Sequence, residues 1–235
     1  MPNLPPSFID LRVFAQDTKP GSTGTDFLSS RRQLDLPAGP VTVGVIELEA
    51  GSGEVAAMPA DEFIIVAGGR LKLSQRDGPL ILEEGSSMVL QRGAAFAWSA
   101  DAPVSIIFMR YSGSQQAARE LIPIMANPPL EPSGAPLAEL LLTPTPACRN
   151  YTDYRSADGE FMCGTWDSTP YQRRAMSYRH YELMYLLEGS VTFVDETGRE
   201  GTFVRGDIFL VEQNAQCSWE SREKVAKVYA IYRPA

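Results

Sequence analysis

Histidine is the residue that this sequence has least of, because His180 is the single one among 235 residues. A metal site or catalytic scheme that needs several imidazoles is therefore excluded. Cysteine is also scarce: Cys148, Cys163 and Cys217 are odd in number and show no Cys-x-x-Cys spacing. This pattern argues against a disulfide framework and against a zinc site built from thiolates. We expect reduced thiols.

Two further absences limit the classes of partner. The sequence has no apolar run near the roughly 20 residues of a membrane span. It also has no long run of Lys or Arg, and its net charge is −8, so it offers few positive charges to the phosphate backbone of a nucleic acid. We therefore expect neither a membrane nor a nucleic acid as partner. Residues 1–6 show no basic patch and no following apolar stretch, which predicts a cytoplasmic protein.

A proline-rich segment divides the chain. Leu121 to Pro146 contains seven prolines, which disfavour a regular strand or a long helix. We interpret residues 121–147 as a linker between an N-terminal domain at 1–120 and a C-terminal domain at 148–235. Within the linker, Leu137–Leu142 could form one helical turn. Elsewhere, helical periodicity is found only around Ser114–Leu121.

Both flanking segments consist of short β-rich runs separated by glycine-containing turns. The clearest runs are Val41–Leu48, Phe63–Val66, Ser190–Val194 and Val228–Tyr232. Hairpin turns are predicted at Arg76–Gly78 and Glu196–Gly198, since glycine can adopt the positive φ that tight turns require. The pattern predicts an all-β protein.

An internal repeat relates the two halves. Glu62–Gly69 aligns with Glu182–Gly189 at an offset of 120, and Ile106–Arg110 aligns with Tyr229–Arg233 at an offset of 123. Between these segments, Gly85 and Gly206 align at an offset of 121, and each is followed thirteen residues later by a tryptophan, Trp98 or Trp219. Because the register drifts by only three residues, we expect two domains that share one fold.

The second half resembles the cupin superfamily. The resemblance lies in an acid followed by six residues and a glycine, then a hairpin, a Gly-Asp pair and a strand with an aromatic near its end. Gly164–Pro170, Tyr181–Val191 and Gly206–Glu220 are similar to the ethanolamine-utilisation-Q-type and ureidoglycine-aminohydrolase-type branch. The first half keeps the glutamate, glycines and tryptophan of the repeat but has Ser86 where that branch usually has aspartate. The resemblance implies a bicupin: two tandem cupin barrels, RmlC-like jelly rolls or double-stranded β-helices, joined by the proline-rich linker.

The metal ligands that the resemblance would supply are missing. Metal-binding cupins use three imidazoles and a carboxylate. In the second half only Glu182 remains: the early histidine positions fall on Met176 and Tyr178 or on Ala175 and Ser177, and the late one falls on Cys217. The aminohydrolase pattern falls on Met176, Tyr178, Glu182 and Cys217, and the matching first-half positions are Ala56, Met58, Glu62 and Phe96. We expect no cofactor; the remaining metal hypothesis is a soft divalent site at His180, Glu182 and Cys217.

The candidate binding residues follow from strand alternation. Alternation places Tyr178, His180, Glu182 and Met184 on one strand face, and Cys217 with Trp219 on one face of a later strand. The resemblance implies that these faces point into the barrel. Buried polar groups cost roughly 1–3 kcal/mol each when unpaired, so this cluster either binds a ligand or forms a closed hydrogen-bond network.

Catalytic roles for His180 and Glu182 are a further hypothesis. Burial would raise the pKa of Glu182 and make it a general base, whereas a cationic partner would keep it ionised. Glu62 repeats this acid in a half without other candidate chemistry, which favours a structural role. Arg173 and Arg174 could attract an anionic ligand, although such arginines are usually solvated.

Two functions remain open. The first is a small-molecule-binding bicupin whose C-terminal barrel holds a polar metabolite, for example one that bears a carboxylate, and whose N-terminal barrel is structural. The alternative is a metal-dependent hydrolase acting on C–N bonds, similar to ureidoglycine aminohydrolase, with a rebuilt centre. Whether the chain is an enzyme is left open. We also expect a homodimer, since Leu183, Tyr185 and Leu187 would form an apolar outer face.

Overall fold

The structure is a computed structural model that describes residues 5–17, 23–75, 78–114 and 116–235. Its elements are almost entirely strands, as predicted. In chain order, the first half contains β1 (Phe8–Asp10), α1 (Leu11–Gln16), β2 (Thr23–Gly24), β3 (Arg31–Gln33), β4 (Val41–Leu48), β5 (Gly51–Val55), β6 (Asp61–Gly68), β7 (Leu71–Gln75), β8 (Gly78–Leu82), β9 (Ser87–Leu90), β10 (Phe96–Ala100), β11 (Val104–Tyr111) and β12 (Leu121–Pro123).

The second half begins with β13 (Glu131–Ser133) and a 3-10 turn (Ala138–Leu140). It continues with β14 (Cys148–Arg155), β15 (Phe161–Ser168), β16 (Tyr171–Ser177), β17 (Tyr181–Glu188), β18 (Ser190–Val194), β19 (Glu200–Val204), β20 (Ile208–Val211), β21 (Gln216–Ser221) and β22 (Val225–Tyr232).

The chain forms two compact units. The first barrel comprises Leu11–Ile124 with Tyr154–Gly159, and the second comprises the described part of Met1–Asp10, Met125–Asp153 and Glu160–Ala235. These units are defined by contacts and interleave in sequence. The contiguous bounds expected above, 1–120, 121–147 and 148–235, stay a prediction.

Each barrel is built from two sheets with the same strand order. In the first barrel, one sheet has the order β12-β9-β6-β11-β4-β2, with β3 also pairing with β4, and the other has the order β5-β10-β7-β8. In the second barrel, the sheets have the orders β1-β20-β17-β22-β15-β14-β13 and β16-β21-β18-β19. The central pattern β9-β6-β11-β4 therefore repeats as β20-β17-β22-β15. The prediction of tandem jelly rolls is confirmed.

A hydrophobic core lies between the two sheets of each barrel. The first core includes Ile64, Val66 and Trp98, together with Phe27 and Phe108. The second core includes Met184 and Leu186 from β17, Cys217 and Trp219 from β21, and a group of phenylalanines from neighbouring strands. Because β6 and β17 place alternate side chains in these cores, Glu62 and Glu182 also face the barrel interiors.

Local expectations had mixed outcomes. The proline-rich segment contains only strands of three residues and a 3-10 turn at Ala138–Leu140. This turn lies within Leu137–Leu142, where one helical turn was expected. The Glu196–Gly198 turn is confirmed, since Gly198 has a φ of 82°. The helix expected around Ser114–Leu121 is wrong: residues 116–120 are irregular and Leu121 begins β12, which pairs with β9. Arg76 and Asp77 of the other predicted turn lie outside the described residues.

The outer face of β17 differs from the expectation. Leu183 is fully buried within one chain, whereas Tyr185 and Leu187 are partly buried. The homodimer stays a prediction, and Leu183 does not contribute to an exposed apolar face. Of the helices in the described ranges, none has the length and apolar character needed to cross a membrane.

Two equivalent glycines allow one strand to pass close to another. A Cβ at Gly44 would overlap the carbonyl oxygen of Arg32 on β3, and a Cβ at Gly164 would overlap that of Tyr151 on β14. The two glycines are separated by the repeat offset of 120. The close packing of β3 against β4 in the first barrel, and of β14 against β15 in the second, therefore requires glycine at the equivalent position of each barrel.

We predict that Gly44→Ala destabilises the protein by about 1–3 kcal/mol, because the added methyl group forces the β3 backbone away from β4. Gly68→Ala is the matched control, since nothing lies within 4 Å of its Cβ position. Urea unfolding followed by circular dichroism measures both changes. Equal stability of the two variants would contradict the close-packing role of Gly44.

Candidate functional site

Glu182 lies at the centre of the candidate site in the second barrel. It lies on β17, opposite Val211 of β20 on one side and opposite Ile231 of β22 on the other, and it is only 7% exposed. Its two carboxylate oxygens have different partners. The Lys227 Nζ donates to Oε1 at 2.7 Å, and the His180 Nε2 donates to Oε2 at 3.2 Å. Both oxygens are thus bound by groups of the chain itself.

Lys227 reaches the barrel interior because of its register on β22. It lies opposite Leu186, whose side chain belongs to the second core, and cross-strand partners share a sheet face. Its ammonium is 3.1 Å from the Met184 sulfur. It also lies 4.7 Å from the Trp166 ring centre and 5.2 Å from that of Trp219, where cation–π attraction stabilises a desolvated charge.

These partners decide the ionisation of Glu182. Burial alone raises the pKa of this carboxyl, but the nearby Lys227 charge and the His180 hydrogen bond lower it more. The net result is a pKa well below the usual glutamate value. Glu182 is therefore a fixed carboxylate in the resting protein, and it is a weaker proton acceptor than an ordinary glutamate.

A second buried cation, Arg173, lies on β16. It is 4% exposed and pairs with Trp219 of β21, next to a bulge that shifts the register before Met176. Its guanidinium donates to the Cys217 carbonyl at 2.8 Å, to the Arg174 carbonyl at 3.1 Å and to the Tyr178 hydroxyl at 2.6 Å. All three acceptors are uncharged, since burial raises the pKa of Tyr178 well above its usual value.

Aromatic rings form one wall of the site. Tyr171 stacks on Trp219 with ring centres 5.5 Å apart, and Trp166 meets Trp219 edge-on at 6.0 Å. Trp166, Met176 and Leu141 are only partly buried where they pack on the second core. These three side chains therefore mark the solvent edge of an otherwise enclosed cluster.

The structure brings most of the predicted ligand-binding residues together. Tyr178 and His180 have ring centres 5.4 Å apart. His180 and Lys227 both donate to the Glu182 carboxylate, and Lys227 also contacts the Met184 sulfur. Tyr178 and His180 lie in the turn between β16 and β17, so strand alternation alone does not position them.

Cys217 and Trp219 lie on β21 as expected, and both contribute to the second core. The Cys217 thiol is fully buried, and burial raises its pKa to about 11. It is therefore a protonated core side chain near neutral pH. Trp219 forms the aromatic wall, and its indole Nε1 donates to the Ser221 hydroxyl at 3.2 Å.

The donor set does not fit the metal centre that the family resemblance implies. Among the described residues, no group of three or more His, Cys, Asp or Glu side chains is arranged to hold a metal ion. In particular, Cys217 does not join His180 and Glu182 in such a group. The ammonium of Lys227 already contacts Glu182, and a thioether, a phenol and a protonated thiol are poor ligands for a hard divalent ion.

Sequence reasoning missed Lys227 and Trp166, and it treated Arg173 as an arginine that is usually solvated. A signal for Lys227 was available in the repeat. At the offset of 121 that relates Gly85 to Gly206, and that the registers of β11 and β22 also show, Lys227 aligns with Ile106, which belongs to the first core. A lysine at a core position of a duplicated fold predicts a buried charge. The interior position of Arg173 has no comparable signal in the repeat, but alternation places it on the same face of β16 as the buried Tyr171.

Comparisons with known proteins agree with this architecture. Residues 155–229 match the family model of the EutQ-like cupin domain. No match was found among curated proteins. A protein of unknown function of the DUF861 family from Pseudomonas syringae pv. tomato has a similar structure, with a TM-score of 0.86, 27% identity, and coverage of 96% of this chain and 99% of that chain.

More distant structures share the fold alone. A cupin 2 conserved barrel domain protein from Leptotrichia buccalis has a TM-score of 0.59 at 10% identity, covering 86% of this chain and 88% of that chain. Salicylate 1,2-dioxygenase from Pseudaminobacter salicylatoxidans has a TM-score of 0.56 at 13% identity, covering 99% and 86%. These likenesses support the two-barrel architecture and carry no residue roles to this chain.

We predict that Lys227→Met destabilises the protein by about 3–5 kcal/mol, because it leaves a buried carboxylate without its cation. Adding Glu182→Gln should recover part of this loss. Lys72→Met is the control, since Lys72 is an exposed residue of β7 and substitutions at such positions change stability by about 0.5 kcal/mol or less. Urea unfolding measures all four proteins. Equal losses in the two lysine variants would contradict the role assigned to Lys227.

A pH dependence follows from the lowered pKa of Glu182. Its folded-state pKa lies below the ordinary value of 4.5, so the ion pair stabilises the fold above about pH 4.5 and this contribution is lost as the pH falls below that value. The stability difference between wild type and Glu182→Gln should shrink accordingly below pH 4.5. Glu188→Gln, an exposed site on the same strand, is the control. A difference that stays constant with pH would show that Glu182 is not held ionised.

Proposed function

Because this chain belongs to the cupin superfamily, we propose that it is a bicupin whose second barrel binds a small carboxylate-bearing metabolite without a metal ion. The proposal rests on the charges and ring systems of the second barrel, because the cupin fold itself hosts many activities.

The observation that carries the proposal is the excess of positive charge inside the second barrel. Lys227 and Glu182 balance each other, whereas the three groups that accept from Arg173 are uncharged. Among the described residues, Arg173 has only neutral hydrogen-bond partners, and a buried cation without an anionic partner is costly in a medium of low dielectric constant. A carboxylate is the ligand that best balances a guanidinium, since two parallel hydrogen bonds match its planar shape.

The surroundings of Arg173 also favour a ligand with an apolar body. The stacked rings of Tyr171 and Trp219 offer a flat apolar wall. Trp166 and Met176 at the solvent edge are side chains that a ligand would meet on entry. Ligand sites in proteins usually combine such an apolar lining with a few polar groups that fix orientation.

The hydrolase alternative has one supporting observation, the hydrogen bond between His180 and Glu182. Two features weigh against it. The pKa of Glu182 is lowered, which makes the carboxylate a poor general base, and the donor set around it does not suit a hard metal ion. Elemental analysis of the purified protein tests this alternative directly. A stoichiometric transition metal that is lost in Glu182→Ala would overturn the binding proposal.

We predict that benzoate binds the wild-type protein and that benzamide, its neutral counterpart, does not. Arg173→Met should weaken benzoate binding about tenfold or more, since it removes a charge-assisted hydrogen-bond donor. Arg173→Lys keeps the charge, loses the planar fork and should give an intermediate loss. Isothermal titration calorimetry measures these affinities.

The matched control is Arg174→Met, since Arg174 is the exposed neighbour of Arg173 on the same strand. It should bind benzoate like wild type. Equal affinity for benzoate and benzamide, or equal affinity of the Arg173 and Arg174 variants, would refute the proposed site. Screening further carboxylates by thermal shift would then narrow the substituents that the aromatic wall accepts.

A further inference from the structure

The first barrel contains a charge cluster that the proposed function does not use. Glu62 has no exposed surface, and two guanidinium groups share its carboxylate. Arg31 donates from Nη1 to Oε2 at 2.8 Å and from Nη2 to Oε1 at 3.2 Å. Arg110 donates from Nε to the same Oε2 at 2.6 Å. Two positive charges therefore share one buried carboxylate, and the exposed carboxylate of Asp26 also interacts with Arg31.

Three strands build this cluster at the edge of the first core. Glu62 on β6 pairs in register with Arg110 on β11, and Arg31 comes from β3. Glu62 shares its strand face with Ile64, which is a core residue. The Arg31 guanidinium carbon lies 4.6 Å from the centre of the Phe108 ring. The cluster therefore lies against the apolar interior and not on the outer surface.

Two donors of the cluster lack an acceptor. Among the described residues, the Nε of Arg31 and the Nη2 of Arg110 are buried without a hydrogen-bond partner. The Arg31 side chain is only 6% exposed, and that of Arg110 is 19% exposed. Buried N–H groups of charged side chains are rarely left unpaired, because the desolvation penalty is then not offset. A bound anion would neutralise the excess positive charge of the two arginines, and it would accept from their two unpaired donors.

We propose that the first barrel binds a small monoanionic carboxylate at Arg31 and Arg110, where the anion completes the charge balance of Glu62. The carboxylate accepts from Arg31 Nε and Arg110 Nη2, and it reaches the cluster from the side where Arg110 is partly exposed. The neighbouring Phe27 and Phe108 rings limit the ligand to a small one. This site is independent of the one proposed in the second barrel.

Sodium formate is the probe, because formate is the smallest carboxylate. Calorimetric titration at constant ionic strength should show formate binding to wild type and also to Arg173→Met, in which the site proposed for the second barrel is removed. Arg31→Lys and Arg110→Lys keep a cation beside Glu62 but lose the free guanidinium donors. Each should weaken formate binding about tenfold or more.

The control is Arg70→Lys, since Arg70 and Glu83 form a largely exposed ion pair in the same barrel. It should bind formate like wild type. Absence of formate binding to Arg173→Met, or unchanged affinity in both Arg31→Lys and Arg110→Lys, would overturn the site. Loss of binding in Arg173→Met alone would place the formate in the second barrel.

A readout in the wild-type protein keeps the test decisive if the lysine variants do not fold. Formate should shift the slowly exchanging Nε–H resonances of the buried arginines in 15N-resolved NMR spectra, in both wild type and Arg173→Met. Spectra of Arg173→Met that do not change on formate addition would overturn the proposal. Chloride added in place of formate shows whether the site selects for a carboxylate or accepts any small monoanion.

Discussion

A buried glutamate that must be neutralised is the constraint on which the interior of each barrel depends. The duplicated fold places Glu62 and Glu182 at equivalent points of β6 and β17, both away from water. An isolated carboxylate there would cost several kcal/mol or would take up a proton. Each barrel therefore supplies its own cation, Lys227 in one and the Arg31–Arg110 pair in the other.

The cations occupy different positions in the two barrels, even on the equivalent strands β11 and β22, which explains how one fold can hold two unlike interiors. Lys227 comes from β22 and contacts two tryptophans, whereas Arg31 comes from β3 and contacts phenylalanines. Each barrel has two cations for one central glutamate: Arg31 and Arg110 in the first barrel, and Lys227 and Arg173 in the second. The glutamate that contributes a metal ligand in other cupins here organises protein cations, and the remaining positive charge is what an anion can use.

The fold could be predicted from the sequence because its signals are local or periodic. The repeat, the turn glycines and strand alternation each depend on spacing along the chain, and they predicted two all-β domains of one fold, whereas the family resemblance implied the jelly rolls. The helix expected near Leu121 failed because pairing of β12 with β9 outweighs weak periodicity. The cations were harder to predict, since Arg31 meets Glu62 across 31 positions and Arg173 meets the Cys217 carbonyl across 44 positions. Only Lys227 had a signal in the sequence, because it is a charged residue that aligns with Ile106 of the first core.

The overall charge of the chain determines how such sites can work. A net charge of −8 does not draw small anions toward the protein over long distances, and salt screens exposed charges within about 10 Å. Buried guanidinium groups act at short range in a medium of lower dielectric constant, where their attraction for a carboxylate is less screened. Selectivity then depends on the fit of the ligand to the rings and donors around Arg173, and not on steering from the surface. An acidic protein can in this way hold an anion in its interior.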